Sequence, residues 1–467
     1  DFFDLFYIGE GETVYDELLD IYKDNKKQGG SRQDFLLRAA GVEGIYVPSL
    51  YSVSYNKDGT IKEMKPRFPN VPKQVRKQVQ MDLTNTVYPL KPLVAFLRPT
   101  QDRVTLEIQR GCIRGCRFCQ AGMIYRPLRE RDVEELKRWA IEMLNATGHE
   151  EITLSSLSSS DYSALEELTY YLIDECKERY INISLPSLRI DAFSLDVMSR
   201  VQDVKKSSLT FAPEAGTQRM RDVINKGLTK ETIINGAMEA FHGGWNKVKL
   251  YFMLGLPFET DEDVVGIPQL ANDIAEAYYT IPKDARNGRV SINASASFFV
   301  PKPFTPFQWA PMNTEEEFLR KAYLANDQMH AMHNHRSLSF QYHDATTTIL
   351  EGILARGDRR LCETLYHIYC KGAIFDAWTE WFQPELWNET FAEDGVDVAF
   401  YTTRERTLEE VFPWDFIDAG VTKEFLKKEY LRASQAVTTP NCRMQCQGCG
   451  AMTWKGGICI EGKNEVC

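Results

Sequence analysis

Three cysteines limit what this chain can fold into more tightly than any other feature. They stand in Glu107-Ile-Gln-Arg-Gly-Cys112-Ile-Arg-Gly-Cys116-Arg-Phe-Cys119-Gln, a C-x3-C-x2-C spacing directly behind an apolar run. A loop of this kind, at the end of a strand, can bring three sulfurs onto three irons of a [4Fe–4S] cube and leave the fourth iron without a protein ligand. A substrate or cofactor can then chelate the open corner, as open positions serve catalytic metals generally. Gly111 and Gly115 let the backbone wrap tightly, and Phe118 is placed to shield the cluster and touch a bound cofactor. A zinc knuckle is the competing interpretation. Zinc asks for four protein ligands, and the nearest downstream histidine is His149.

The chain has eleven cysteines, and five more of them crowd its end: Cys442, Cys446, Cys449, Cys459 and Cys467. Cys442, Cys446 and Cys449 repeat the C-x3-C-x2-C spacing, so context separates the two motifs. The first follows a strand and has Phe118 before its last cysteine; the second follows a helix and has Gly448 there. With Cys459 and Cys467 the tail has enough thiols to close a four-ligand site, a structural zinc or a second Fe–S cluster. Cys176, Cys362 and Cys370 read as core cysteines. Tight C-x-x-C spacings in a long chain point to metal ligation in a reducing cytosol, not to a disulfide scaffold.

The length of 467 residues suggests two to four domains, and 43% hydrophobic with 26% charged residues suits a globular chain with a sizeable core. No run approaches the roughly 18 apolar residues of a membrane span, so the expectation is a cytoplasmic protein without a membrane partner. The formal net charge of −11 disfavours non-specific nucleic-acid binding but leaves room for a local basic groove. An opening at Asp1, without Met or leader, reads as the middle of something longer.

Periodicity divides the chain. Residues 1–45 read as strand, turn and helix, with Thr13 as N-cap of an amphipathic stretch over 14–22, the remnant of an α/β domain. Residues 46–100 form a linker with a hairpin around Asp58-Gly59. Over 101–312, strands near 104–108, 152–157, 181–185, 208–211, 247–253 and 290–300 alternate with helical stretches near 133–146, 162–178, 193–201, 216–224, 230–241 and 262–279. Six β/α units predict parallel strands with helical crossovers, a partial six-unit barrel and not a complete eightfold one. Residues 313–437 are mainly helical, with aromatics dense over 375–391, and 438–467 are the Cys-rich tail.

The cysteine loop with an aromatic before its third ligand, behind the first strand of a β/α series, resembles the radical S-adenosylmethionine (SAM) superfamily. More narrowly, the chain resembles uncharacterised bacterial radical SAM proteins that carry a cobalamin-binding-like domain ahead of the barrel. The resemblance rests on Ile8-Gly-Glu-Gly-Glu12, Arg110 to Gly122, Tyr125-Arg-Pro-Leu-Arg-Glu-Arg131, Ala212-Pro-Glu-Ala-Gly216, Gly255-Leu-Pro257 and Phe299-Val-Pro-Lys-Pro303. It implies an α/β fold: a partial (β/α)6 TIM-like barrel, a truncated N-terminal α/β segment and a helical, Cys-rich C-terminal region. It implies that Cys112, Cys116 and Cys119 hold a [4Fe–4S] cluster at which SAM is reductively cleaved to a 5′-deoxyadenosyl radical.

By the same resemblance Ser158, Ser159 and Ser160 face the SAM amino group, with Asp161 free to cap the next helix. Glu214 turns towards the ribose or amine, while Arg189, Arg219 or Arg221 takes the carboxylate, and Gly255, Leu256 and Val300 approach the adenine. A flavodoxin or ferredoxin is the expected reductant, and cobalamin belongs with the missing N-terminal part. Three activities stay open on sequence alone. The first is methylation or a related modification of a macromolecule such as RNA, a ribosomal component or another protein. The second is methylthiotransfer or sulfur insertion using a tail cluster. The third is a non-catalytic, metal-stabilised interaction protein.

Overall fold

The computed structural model describes residues 2–97, 99–184 and 209–461. Two compact units divide the chain, and neither is continuous in sequence. One joins Asp1–Gln80, Val300–Glu317 and Asp344–Lys427; the other joins Met81–Phe299, Phe318–His343 and Lys428–Cys467.

In the first unit a short strand, Phe6–Tyr7, pairs antiparallel with Ile45–Tyr46 across two helices, Tyr15–Lys27 and Arg32–Ala39. Ser31 and Asp34 close a reciprocal capping box on the second helix. Thr13 does not cap the first: Val14 stands at that position, and the Thr13 hydroxyl bonds Tyr7 and the Glu10 carbonyl instead. The expected hairpin is present, Tyr51–Tyr55 against Ile61–Pro66, its turn fastened by the Thr60 N–H on the Asp58 carboxylate at 3.0 Å. Helices Ala345–Arg356, Leu361–Cys370 and Pro384–Glu393 build a separate core around Ile353, Ile368, Trp387 and Phe391. Much of the aromatic density over 375–391 packs there, although Phe375, Trp378 and Trp381 stay exposed.

The second unit is an alternating β/α array. Its strands are β1 (Val104–Glu107), β2 (Glu151–Ser155), β3 (Asn182–Ser184), β4 (Leu209–Glu214), β5 (Lys247–Leu254), β6 (Ser291–Phe298) and β7 (Leu338–Tyr342). All neighbouring pairs are parallel, in the orders β3-β2-β1 and β4-β5-β6-β7. Six of these strands answer the sequence pattern. The seventh does not: Leu338-Ser-Phe-Gln-Tyr342 has no apolar run, and its strand state comes from pairing with β6. The helix expected near 193–201 lies outside the described residues.

Helix α1 (Val133–Thr147) shows how the array is built. The Asp132 carboxylate accepts the Glu134 and Glu135 N–H groups at 3.0 and 3.1 Å, which starts the helix. Gly148, in the left-handed region, stops it. Leu136, Trp139, Ala140, Met143 and Leu144 recur at helical spacing and bury against Leu106, Ile152 and Leu154 of the sheet. Leu136, Met143 and Leu144 each contribute about 1.5–3 kcal/mol on burial, and the Ala140 methyl less. Helices α2 (Leu165–Lys177), α3 (Gln218–Val223), α4 (Lys230–His242), α5 (Asp261–Thr280) and α6 (Glu315–Ala331) follow the later strands. Chain direction therefore sends every strand's C-terminal end, and the loop behind it, to one rim.

Candidate active site at the cysteine loop

The loop behind β1 is pinned from three sides. Its entry strand, Gln109–Arg110, pairs antiparallel with Arg129–Glu130. Gly111 sits at φ +87°, and a Cβ there would stand 2.7 Å from the carbonyl oxygens of Tyr125 and Pro127, so only glycine fits. Gln109 Nε2 donates to the Ser158 carbonyl at 2.7 Å. Arg114 grips the Asp161 carboxylate, Nε to Oδ2 at 2.9 Å, and the Ser158 hydroxyl reaches the same carboxylate at 2.6 Å. Asp161 thus ties the loop behind β2 to the cysteine loop and does not cap α2, whose N-cap is Ala164.

A second anchor is buried. Arg117 has no exposed surface; it donates to Glu429 at 3.1 Å and to the Asp222, Val223 and Val437 carbonyls. Asn225, at φ +53°, donates to the Gly115 and Thr439 carbonyls, both at 3.1 Å, and accepts the Thr439 N–H at 2.8 Å. The loop is clamped between the segment behind β4 and the chain just before the tail.

Within this frame Cys112, Cys116 and Cys119 are free and half-buried. The Cys112 sulfur accepts the Arg114 N–H and the Cys119 sulfur the Gly122 N–H, both at 3.3 Å. Burial pushes the Cys112 thiol up to about 12, with Cys116 adding to it, and burial and Cys116 likewise raise Cys119. Three thiolates so close are not tolerated without a compensating cation, and a metal that displaces the protons supplies one. An all-sulfur donor set of three, with N–H groups already turned on two sulfurs, fits an iron–sulfur cluster. Among the described residues, no three His, Cys, Asp or Glu side chains converge on a single ion.

Across from the thiols, Lys226 Nζ lies 3.0 Å from Glu214 Oε1 and 6.0 Å from the centre of the Phe118 ring. Glu214 closes β4 at φ +68°, where the register with β5 shifts. The lysine also lowers the Cys119 thiol slightly against burial, which places it beside the loop sulfurs.

The other expected contacts divide. Ser159 is fully buried, its hydroxyl 3.0 Å from that of Ser156, Ser158 is buried, and Ser160 is half-buried. Arg221 is buried and staples its own turn, donating to the Ala215, Gly216 and Leu228 carbonyls. Arg219 holds Asp263 and the Phe258 carbonyl. The basic group beside Glu214 is therefore Lys226, not either of these arginines. Gly255 sits at φ +81° and gives its N–H to Glu259 at 2.7 Å, and Glu259 is buried with Lys321 at 2.9 Å. Leu256 is buried beside it. Val300 lies beyond the end of β6, in the other unit, and Arg189 is outside the described residues.

The tail folds onto the same loop. The Cys442 N–H donates to the Ile113 carbonyl and the Ile458 N–H to the Leu128 carbonyl, both at 3.1 Å, and Cys442 and Cys459 pack on Ile113, Leu128 and Ile458. Cys442, Cys449 and Cys459 are free, Cys446 is disulfide-bonded, and Cys467 falls outside the described residues. Arg126 lies buried between the two thiol groups. Burial opposes its charge, but Cys449, Cys442 and Cys112 outweigh that and hold it protonated. Of the loop's anchors, Arg114, Arg117, Asn225 and Glu429 escaped sequence reasoning; only the unbroken Arg-rich flank of the motif hinted at them.

Residues 106–271 match the family model described as the radical SAM superfamily, and residues 1–48 match that of radical SAM proteins, N-terminal. The chain carries a radical SAM domain. That domain implies SAM and a [4Fe–4S] cluster. An uncharacterised protein of Methanocaldococcus jannaschii is 32% identical over 298 residues, 62% of each chain. A putative methylthiotransferase of that organism is 24% identical over 34% of this chain and 37% of its own. An uncharacterised methyltransferase of Pyrococcus horikoshii is 23% identical over 58% of this chain and 54% of its own. The chain thus spans less than two thirds of each of these relatives. Among solved structures, the cobalamin-dependent radical SAM enzyme OxsB with aqua-cobalamin bound aligns over 92% of this chain and 64% of that one at 12% identity and TM-score 0.39. The methyltransferase TsrM of Kitasatospora setae with cobalamin and a [4Fe–4S] cluster bound aligns over 66% and 53% at 12% identity and TM-score 0.38. Among the described residues no helix is long and apolar enough to cross a membrane.

Proposed function

We propose that Cys112, Cys116 and Cys119 hold the [4Fe–4S] cluster of this radical SAM enzyme, and that it methylates a macromolecule, RNA or a ribosomal component. The observation that carries the cluster assignment is the set of three free thiols on one clamped loop behind β1, faced by the Lys226–Glu214 pair. When bound, the cluster and SAM together supply one-electron cleavage of the sulfonium and, from it, a carbon radical that takes an unactivated hydrogen. The chain's own residues do the rest. Arg114, Arg117 and Arg126 hold the loop rigid from behind. Lys226 and Glu214 present a cation and an anion side by side, the complement of an amino acid's carboxylate and ammonium. Phe118, directly before Cys119, would shield a cluster held there from water. The methyl-transfer reading draws support from the names of the two relatives called methyltransferase and methylthiotransferase. Cobalamin and a flavodoxin or ferredoxin reductant come from the sequence resemblance, and no residue here is assigned to either.

A second reading, methylthiotransfer, is favoured by one observation. The tail thiols Cys442, Cys449 and Cys459 lie against the cysteine loop with Arg126 between them, where a second metal group would adjoin the first.

Anaerobic reconstitution tests both. The proposal expects about four iron and four sulfide per chain from the loop, and about eight of each if the tail also holds a cube. It expects SAM cleavage to 5′-deoxyadenosine on reduction, lost in Cys116→Ala. A single zinc in the loop of anaerobically purified protein would sink it. Product mass, methylated or methylthiolated, then separates the two reactions.

A further inference from the structure

The sheet β4-β5-β6-β7 has two unlike faces. Val248, Leu250 and Phe252 of β5 and Ile292, Ala294 and Ala296 of β6 are buried on the side that α5 covers. The alternate residues form polar rows on the other side. Register places Thr210, Lys249, Asn293 and Ser339 side by side, and Tyr251, Ser295 and Gln341 side by side in the next row. An interior face of a barrel-type sheet usually fills with branched aliphatics. Here it carries hydroxyls, two primary amides, a phenol and one ammonium.

Three details point to a ligand. Lys249 Nζ stands 4.7 Å over the Tyr251 ring, and among the described residues it makes no ion pair. Asn293 Oδ1 is buried with no hydrogen-bond partner, which leaves its desolvation uncompensated until something donates to it. Tyr251 is 39% exposed, so part of its ring surface is accessible to a ligand.

The chemistry of the occupant follows from what the rows offer and lack. A lone cation asks for an anion. An accessible ring surface asks for a planar unsaturated group. Primary amides such as Asn293 and Gln341 present a donor and an acceptor together, the pattern that reads the edge of a nucleobase. No carboxylate stands in these rows to receive the ammonium of an amino acid or peptide. We propose that this face holds one nucleotide unit of the substrate, its base against Tyr251, Asn293 and Gln341 and its phosphate at Lys249. The inference rests on the radical SAM reading above and narrows its substrate to a phosphate-bearing nucleobase, free or within a single RNA strand.

The test uses the full chain, anaerobically reconstituted and saturated with SAM, so that SAM's own site is filled. Calorimetry compares the four nucleoside 5′-monophosphates, a short single-stranded oligoribonucleotide, the phosphate-free nucleosides, and glutamate. We expect saturable binding of a monophosphate or of the oligoribonucleotide, and whichever arm is tighter names the source. The matching nucleoside should bind about tenfold or more weakly. Lys249→Met should bring the phosphorylated ligand down to the nucleoside's affinity, Lys249→Arg should restore it, and Tyr251→Leu should weaken both. If Lys249→Met unfolds by circular dichroism, Gln341→Ala at its exposed position carries the test, with altered base preference expected. Preferential glutamate binding, nucleotide displaced by SAM, no binding at all, or a folded Lys249→Met with wild-type affinity would each overturn the inference. Wild type that binds nucleotide but forms no 5′-deoxyadenosine would sink the proposed function alone. Wild type that cleaves SAM yet binds no nucleotide would sink this inference alone.

Discussion

Arg117 is the residue on which the cysteine loop's position depends most. It lies within the motif, yet its partners are Glu429 and the Val437 carbonyl more than three hundred positions away. Both members of the ion pair are almost wholly buried, with side-chain exposures of 0% and 2%. Arg117→Met leaves the buried Glu429 carboxylate with only the more exposed Arg432 as its cation, so it should lower unfolding free energy, by up to roughly 3–5 kcal/mol. Urea denaturation of the single variants and of Arg117→Met/Glu429→Met checks this; the double variant should recover part of the loss. A single-variant cost below about 1 kcal/mol, the range of an exposed pair, would refute the clamp. Asp263 gives a pH-dependent counterpart. Burial alone would raise its pKa, but bonds from Arg219, Thr217 and Thr260 outweigh burial and hold the carboxyl below its ordinary 3.8. A depressed folded-state pKa contributes stability that is full above the unfolded value and disappears as pH falls through the folded one. The deficit of Asp263→Asn should therefore be constant from neutral pH down to about 5 and shrink below about 4. Melting curves across that range measure it, and a deficit that grew in acid would contradict the assignment.

Helix α5 docks where the turn behind β4 has no side chain. A Cβ on Gly216 would stand 2.2 Å from the backbone of Gly266 and Ile267, mid-helix atoms that cannot rotate away. Gly216→Ala should thus cost about 1–3 kcal/mol or more through overpacking. It should also lower SAM affinity, because that turn carries Glu214; a thermal shift with and without SAM reads both. At this scale much was legible in the sequence. Helices such as α1 and α5 announced themselves through apolar spacing, and six strands through short apolar runs between them. Strand β7 was not legible, since its alternation is weak and its state is imposed by β6. Nor were the anchors of the loop. Cys112, Cys116 and Cys119 are visible because their spacing is local, whereas Asp161, Asn225 and Glu429 act across folded distance and leave no periodic trace. Arg219 and Arg221 show what spacing leaves out. A guanidinium on the right helix looks available in sequence, but Arg221 is consumed by the carbonyls of its own turn, and the cation beside Glu214 comes from Lys226.

At the scale of the whole molecule, the chain threads each unit more than once, so continuous stretches are not autonomous parts. The segment Met81–Phe299 contains the cysteine loop and six of the seven strands and looks from its sequence like a complete catalytic module. It lacks Phe318–His343 and Lys428–Cys467 of the same unit. Losing the first removes β7, which leaves β6 as an unpaired edge, and removes Lys321, which leaves Glu259 buried without its cation under the Gly255 turn. Losing the second removes Glu429 from Arg117, Thr439 from Asn225, and Ile458 from Leu128. One uncompensated buried charge alone approaches the roughly 5–15 kcal/mol of a domain's total stability, and here there are two. Expressed as residues 81–299, the fragment should therefore aggregate or show no cooperative melt, and should retain little iron after reconstitution. Adding the two missing segments back, as 81–343 joined by a flexible linker to 428–467, should restore a cooperative transition. Size-exclusion chromatography, circular dichroism melts and iron content make the comparison; a monomeric, cooperatively folding 81–299 would show that the cysteine loop does not need its distant clamps.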